Sequence, residues 1–129
     1  MILQAFDRGA AKEGRNAQSL ERMSEAMVSC HEDYEMALKG CRFWAGSKLP
    51  VFYKYDVSDP REIEAHEEYV GNDMLSKEFI VATTAEEHVK RVKEYIRCGF
   101  NHLAIASSSP DEERFIEFYG KEVLPHLRE

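Results

Sequence analysis

Three stretches of this chain carry side chains whose types and spacing could do chemistry. His31 stands directly before Glu32 and Asp33, and imidazole is the side chain whose charge changes closest to neutral pH. There it is either a functional group or a turn histidine facing solvent. Ser107, Ser108 and Ser109 precede Asp111, Glu112 and Glu113. Hydroxyls and free N–H groups at a helix N-terminus can hold a phosphate. The neighbouring carboxylates oppose an anion, so helix capping is the favoured reading. Glu62 and His66 lie one helical turn apart, beside Glu67 and Glu68. The second histidine of an H-E-x-x-H zinc helix is missing, and no metal site is expected. Cys30, Cys41 and Cys98 are odd in number and widely spaced, with no C-x-x-C. They read as reduced thiols rather than a disulfide framework or a zinc site.

Composition narrows the classes. A chain of 129 residues suffices for one small domain with a core. Its 43% hydrophobic and 32% charged residues are those of a globular protein, not a disordered one. The net charge is −7 and no basic run exceeds two residues, which disfavours nucleic acid as a partner. No apolar stretch approaches the ~20 residues that span a membrane. Met1 to Phe6 has no basic leader and no small-residue cleavage site after it, so a signal peptide is not expected and the expected location is cytoplasmic.

The elements that must position these groups can be read from periodicity. Ile2, Phe6 and Ala10 predict a helix over residues 1–13 that Gly14 can end in the left-handed conformation. Residues 16–22 are polar and read as a turn. Ala26, Val28 and Cys30 alternate and predict a strand over Ser24–Cys30. Asp33 can cap a helix whose apolar stripe is Tyr34, Ala37, Leu38, Cys41, Trp44 and Ala45, closed by Gly46; that stripe places Trp44 in the core. Residues 48–55 read as a structured excursion, not a strand. Asp59-Pro60-Arg61-Glu62 is a helix start, running to about Val70 and stopping at Gly71. Phe79 to Thr83 is an extended apolar segment. Thr84 opens a helix with Val89, Val92 and Ile96 inward and Gly99 at its end. His102–Ala106 reads as a strand. Ser109-Pro110-Asp111-Glu112 caps a final helix carrying Phe115, Ile116, Tyr119 and Val123. Extended segment, helix, strand, helix is the pattern of an α/β protein with parallel strands.

The blocks Phe43-Trp44-Ala45, Asp59-Pro60, Phe79-Ile80-Val81, Gly99-Phe100-Asn101-His102-Leu103 and Ser109-Pro110-Asp111 come in a telling order, followed by Phe115 to Pro125. Together they resemble the C-terminal region of the luciferase-like monooxygenase superfamily. The closest branch is that of the deazaflavin (coenzyme F420) dependent glucose-6-phosphate dehydrogenases and methylenetetrahydromethanopterin reductases. No single block is specific; their order and spacing are, and they cover essentially the whole chain.

The resemblance implies an α/β fold that is the C-terminal portion of a (βα)8 barrel. Ser24–Cys30 and His102–Ala106 are then its last two strands, with a helical insertion between them. Residues 1–129 form a single partial domain, because such barrels need roughly 250 residues. The implied function is part of a deazaflavin- or flavin-dependent hydride transfer, with coenzyme F420, or alternatively FMN, bound by the complete enzyme. The alternative is a non-catalytic fragment or an assembly protein of the same fold. The family's ring-binding and proton-transferring residues lie in earlier strands, so no catalytic residue is assigned here. His31, at a strand end, is a candidate active-site residue. Lys54 matches a phosphate-binding lysine of the sugar-phosphate enzymes, or is an ordinary solvated lysine. Their phosphate-binding arginine is replaced by Glu78, which reverses the charge. Lys77 could partly compensate, although neighbours on an extended chain point opposite ways. Ser107 and Ser108 complete the phosphate-binding candidates. Exposed strand edges imply a partner: self-association, or a complementary N-terminal barrel half.

Overall fold

Three parallel strands form one sheet in the order β2-β1-β3 in the computed structural model, which describes residues 2–127. They are β1 (Met23–Cys30), β2 (Ile80–Ala82) and β3 (His102–Ser107). The extended segment after Phe79 is thus a third strand beside the two expected. β1 is central because its alternation is strong: Ala26, Val28 and Cys30 are buried on one face. Pairing is uneven along it. β3 runs alongside Met23 to Val28, whereas β2 meets only Val28, Ser29 and Cys30. Among the described residues, the other edge of β1 from Met23 to Met27 and the outer edge of β3 have no strand partner.

Helices cover both faces. On one, α5 (Ala85–Cys98) and α6 (Glu112–Phe118) with its irregular continuation enclose Ala26, Val28, Ile80, Val92, Tyr119 and Val123. α6 passes into a π-helical turn, Tyr119–Val123, and then a 3-10 turn, Leu124–Leu127. On the other face, α2 (Tyr34–Ala45) and α4 (Asn72–Glu78) bury Leu38, Cys41, Leu75, Phe79 and Val81, with Met27 packed against them. α1 (Ile2–Lys12) ends at Gly14 with φ +65°, as its position required. It is tied to the start of β1 by Asp7, whose carboxylate accepts from the Arg22 guanidinium at 2.9 Å.

Several expectations are corrected. The Asp59 helix is short: α3 spans Pro60–Ala65, then a separate 3-10 turn, Glu67–Tyr69, takes over. The helix α4 was not expected; it places Lys77 and Glu78 about 100° apart on a helix rather than on opposite sides of an extended chain. Trp44 is 44% exposed, because the buried stripe of α2 centres on Ala37, Leu38, Cys41 and Ala45 and leaves Trp44 on its flank, edge-on to Phe43. Ile96 and Ile116 also face outward, at 47% and 66% exposure. Gly46 closes α2, as its position suggested. Its φ is −56°, and it is glycine because a Cβ there would run into the Ile63 carbonyl of α3.

Candidate functional site

Ligands of parallel α/β sheets bind beyond the carboxyl ends of the strands. There β1 and β3 deliver His31 and Ser107–Ser109 side by side. The two strand ends are laced together. The Ser108 N–H donates to the Val28 carbonyl at 2.7 Å, and its hydroxyl donates to the same oxygen at 3.2 Å. The Ser29 hydroxyl donates to the Ser108 carbonyl, and the Cys30 N–H donates to the Ser109 hydroxyl oxygen at 3.1 Å. α2 crosses this seam at Gly40, where a Cβ would collide with the Ser108 carbonyl. The serines therefore join strands rather than cap α6; its cap is Asp111, whose carboxylate accepts from the Arg114 N–H. Ser108 is buried, and Ser107 is half-buried with its hydroxyl oxygen accepting from the Ser109 N–H.

His31 is half-buried beside this seam, and its Nδ1 accepts from the Asp33 N–H at 2.9 Å. In the neutral ring that leaves the proton on Nε2, so His31 offers a donor. The next residue, Glu32, receives the Arg114 guanidinium at 2.6 Å, which holds its carboxyl below the usual range. Burial pushes the Cys30 and Cys41 thiols up, so neither is an activated nucleophile.

The remaining candidates lie elsewhere. Lys54 is exposed at the end of the 3-10 turn Pro50–Tyr53, and Lys77 is exposed in the last turn of α4. Among the described residues no hydrogen bond or ion pair joins either to the strand ends. His66 contacts the Glu62 backbone carbonyl rather than its carboxylate, at 2.6 Å. No group of metal-holding side chains occurs among the described residues.

Sequence reasoning missed one buried polar cluster. His88, fully buried in the first turns of α5, places Nδ1 2.9 Å from the Tyr119 hydroxyl and Nε2 3.3 Å from the Ala82 carbonyl. With Nε2 protonated, each ring nitrogen has a partner. Desolvation lowers the imidazole pKa and raises that of Tyr119. The available signal was a histidine on an apolar stripe, at three and four residues from Ala85 and Val92.

No family model matches the chain. Over 127 residues, 98% of its length, it is 37% identical to an F420-dependent glucose-6-phosphate dehydrogenase of Microbacterium testaceum. It is 35% identical to the enzyme of that name from Nocardia farcinica. It superimposes with a TM-score of 0.92 and 34% identity on an F420-dependent secondary alcohol dehydrogenase in complex with an F420-acetone adduct. Over nearly its whole length the chain is thus similar to part of the F420-dependent oxidoreductases. A coenzyme F420 dependent tetrahydromethanopterin reductase from Methanopyrus kandleri, at 19% identity and a TM-score of 0.68, shares the fold. The chain spans 38% of the length of the two glucose-6-phosphate dehydrogenases and of the alcohol dehydrogenase. None of its described helices is long and apolar enough to cross a membrane.

Proposed function

We propose that this chain is the C-terminal part of a coenzyme F420 dependent oxidoreductase that transfers a hydride, with FMN as the alternative cofactor. In this reading residues 1–129 are a single partial domain of a (βα)8 barrel. β1 and β3 are its last two strands, and the segment from α2 to α4 is an insertion between them. The observation that carries the reading is the likeness to the alcohol dehydrogenase over 98% of this chain but only 38% of that one. The unpaired edges of β1 and β3 agree with it, since parallel strands are normally paired on both sides. A complementary N-terminal barrel half is the partner that would pair them; a second copy of this chain is the other. The expected compartment is the cytoplasm.

The residues of this chain do not by themselves fit a deazaflavin. At the strand ends the Ser29 and Ser108 hydroxyls and the Cys30 and Ser108 N–H groups are turned inward to the protein. His31, Ser107 and Thr83 are half-buried polar side chains there. The chain supplies one wall, with His31 on it, and the ring is held elsewhere. Lys54 and Lys77 are retained as distal candidates for contacts to substrate.

Fluorescence titration with coenzyme F420 tests this. The 129-residue chain alone should show no micromolar binding, whereas the chain combined with its N-terminal part should bind and reduce the cofactor. Micromolar binding by the chain alone would sink the claim that the site lies elsewhere. A complete protein that neither binds nor reduces F420 or FMN would favour the assembly-protein reading.

A further inference from the structure

The sheet face opposite α5 is covered only in part. Register sets Met23, Glu25 and Met27 of β1 beside His102, Ala104 and Ala106 of β3. α2 and α4 reach Met27, and α2 crosses the carboxyl ends of the strands at Gly40. Toward the amino ends Met23 is 57% exposed and Glu25 is exposed. We propose that this patch is interior in the complete barrel, and that the N-terminal part brings a lysine or arginine side chain to the Glu25 carboxylate. The proposal rests on the barrel reading above and adds the chemistry of the partner at this face.

Successive side chains of a strand point to opposite faces. Ala26 and Val28 lie in the core beneath α5 and α6, so Met23, Glu25 and Met27 point the other way. The inside of a (βα)8 barrel is filled by layers of side chains from alternate strands. Ala104 and Ala106 are small, which leaves room beside Glu25 for a long side chain from a facing strand. A carboxylate closed into that interior needs a cation, because an unpaired buried charge is costly. This chain supplies none: among the described residues no hydrogen bond or ion pair reaches the Glu25 carboxylate. His102, beside Met23, is paired with Glu21 at 2.5 Å, and Arg22 is held by Asp7 at 2.9 Å. The likeness to the alcohol dehydrogenase takes in only 38% of that protein, so most of such a barrel lies outside these 129 residues. A second copy fits this face less well. Seated face to face it would bring two Glu25 carboxylates into one interface, in a chain of net charge −7.

The test uses the complete protein, this chain together with its N-terminal part. Carboxylates are labelled with a carbodiimide and glycine ethyl ester and read by peptide mass spectrometry. Glu25 should react at least about tenfold more slowly than the exposed Glu113, since only local opening would expose it. Glu25→Gln keeps the shape, removes the charge and strands the facing cation, so the urea midpoint should fall. In that background the lysines and arginines of the N-terminal part are changed singly to methionine, and one such change should restore the midpoint. Labelling of Glu25 at the rate of Glu113 overturns the proposal, as does a Glu25→Gln variant no less stable than the parent. Protection that is lost on dilution, in step with dissociation of a dimer, gives the face to a second copy and overturns it too. F420 titration of the same protein reports separately on the oxidoreductase reading. Cofactor binding with Glu25 freely labelled overturns this proposal alone. A protected, charge-paired Glu25 without cofactor binding supports it while that reading fails.

Discussion

The two faces of the sheet are closed by different means. On the face of Ala26, Val28 and Ile80, one long helix and the C-terminal helix lie over the strands, and the core there holds a polar pair, His88 and Tyr119. On the face of Met27 and Val81, the apolar core is assembled from α2 and shorter pieces, with buried Ser29 and Ser108 at its strand-end margin and close backbone approaches at Gly40 and Gly46. The first face holds a hydrogen-bonded imidazole in its core, while the second turns more on steric fit where α2 and α3 approach backbone. Substitutions should therefore fail in different ways on the two sides.

The largest effect is expected at Phe79, 1% exposed at the junction of α4 and β2 beneath α2. Phe79→Ala leaves a cavity and should cost about 3–5 kcal/mol in urea denaturation. Trp44→Ala, on the exposed flank of the same α2, is the control and should stay within about 0.5 kcal/mol. Equal losses at the two positions would break the assignment of that core.

Gly46→Ala comes next. Its Cβ has no room against the Ile63 carbonyl, and backbone must move, so a loss of about 2 kcal/mol is expected. Gly71→Ala, where a Cβ meets nothing within 4 Å, should be tolerated. A Gly46→Ala variant as stable as the parent would show that α3 is not seated on the end of α2.

The smallest effect belongs to the polar pair and carries a pH signature. Tyr119→Phe leaves the buried Nδ1 of His88 without its donor and should cost about 1–2 kcal/mol near neutral pH. The folded state holds the His88 ring neutral with a lowered pKa. The unfolded ring protonates below about 6.5. Below that value the unfolded state binds the extra proton, so stability is complete above it and declines as pH falls toward the folded pKa. His88→Leu should flatten this acid-side decline. An unchanged slope would mean that other groups set it.

The readability of the chain follows the same division. Strand β1, helices α2 and α5 and strand β3 stood out because each repeats its apolar residues over enough turns or alternations for the period to show. The capping residues Asp33, Asp59 and Thr84 were equally plain, since a side chain that accepts its own helix's N–H groups acts locally. α4 has seven residues with only Met74 and Leu75 at its centre. It is too short to display a stripe, and it is helical because Leu75 and Phe79 find a core made by other elements. β2 is three residues long, and its strand state exists only through the ladder with Val28–Cys30.

At the strand ends the sequence by itself determined which polar groups were present: His31, the serine run and the carboxylates beside them. Tertiary structure alone decided what they do, because a hydroxyl's partner is set by whichever backbone lies across from it. Ser29 and Ser108 are about eighty residues apart in sequence, so only the parallel pairing of β1 with β3 turns a would-be anion site into a strand-to-strand seam. The same holds for His88: its place on an apolar stripe was written locally. Its two partners, Ala82 and Tyr119, arrive from another strand and another helix, and without both of them a buried imidazole would cost more than it contributes.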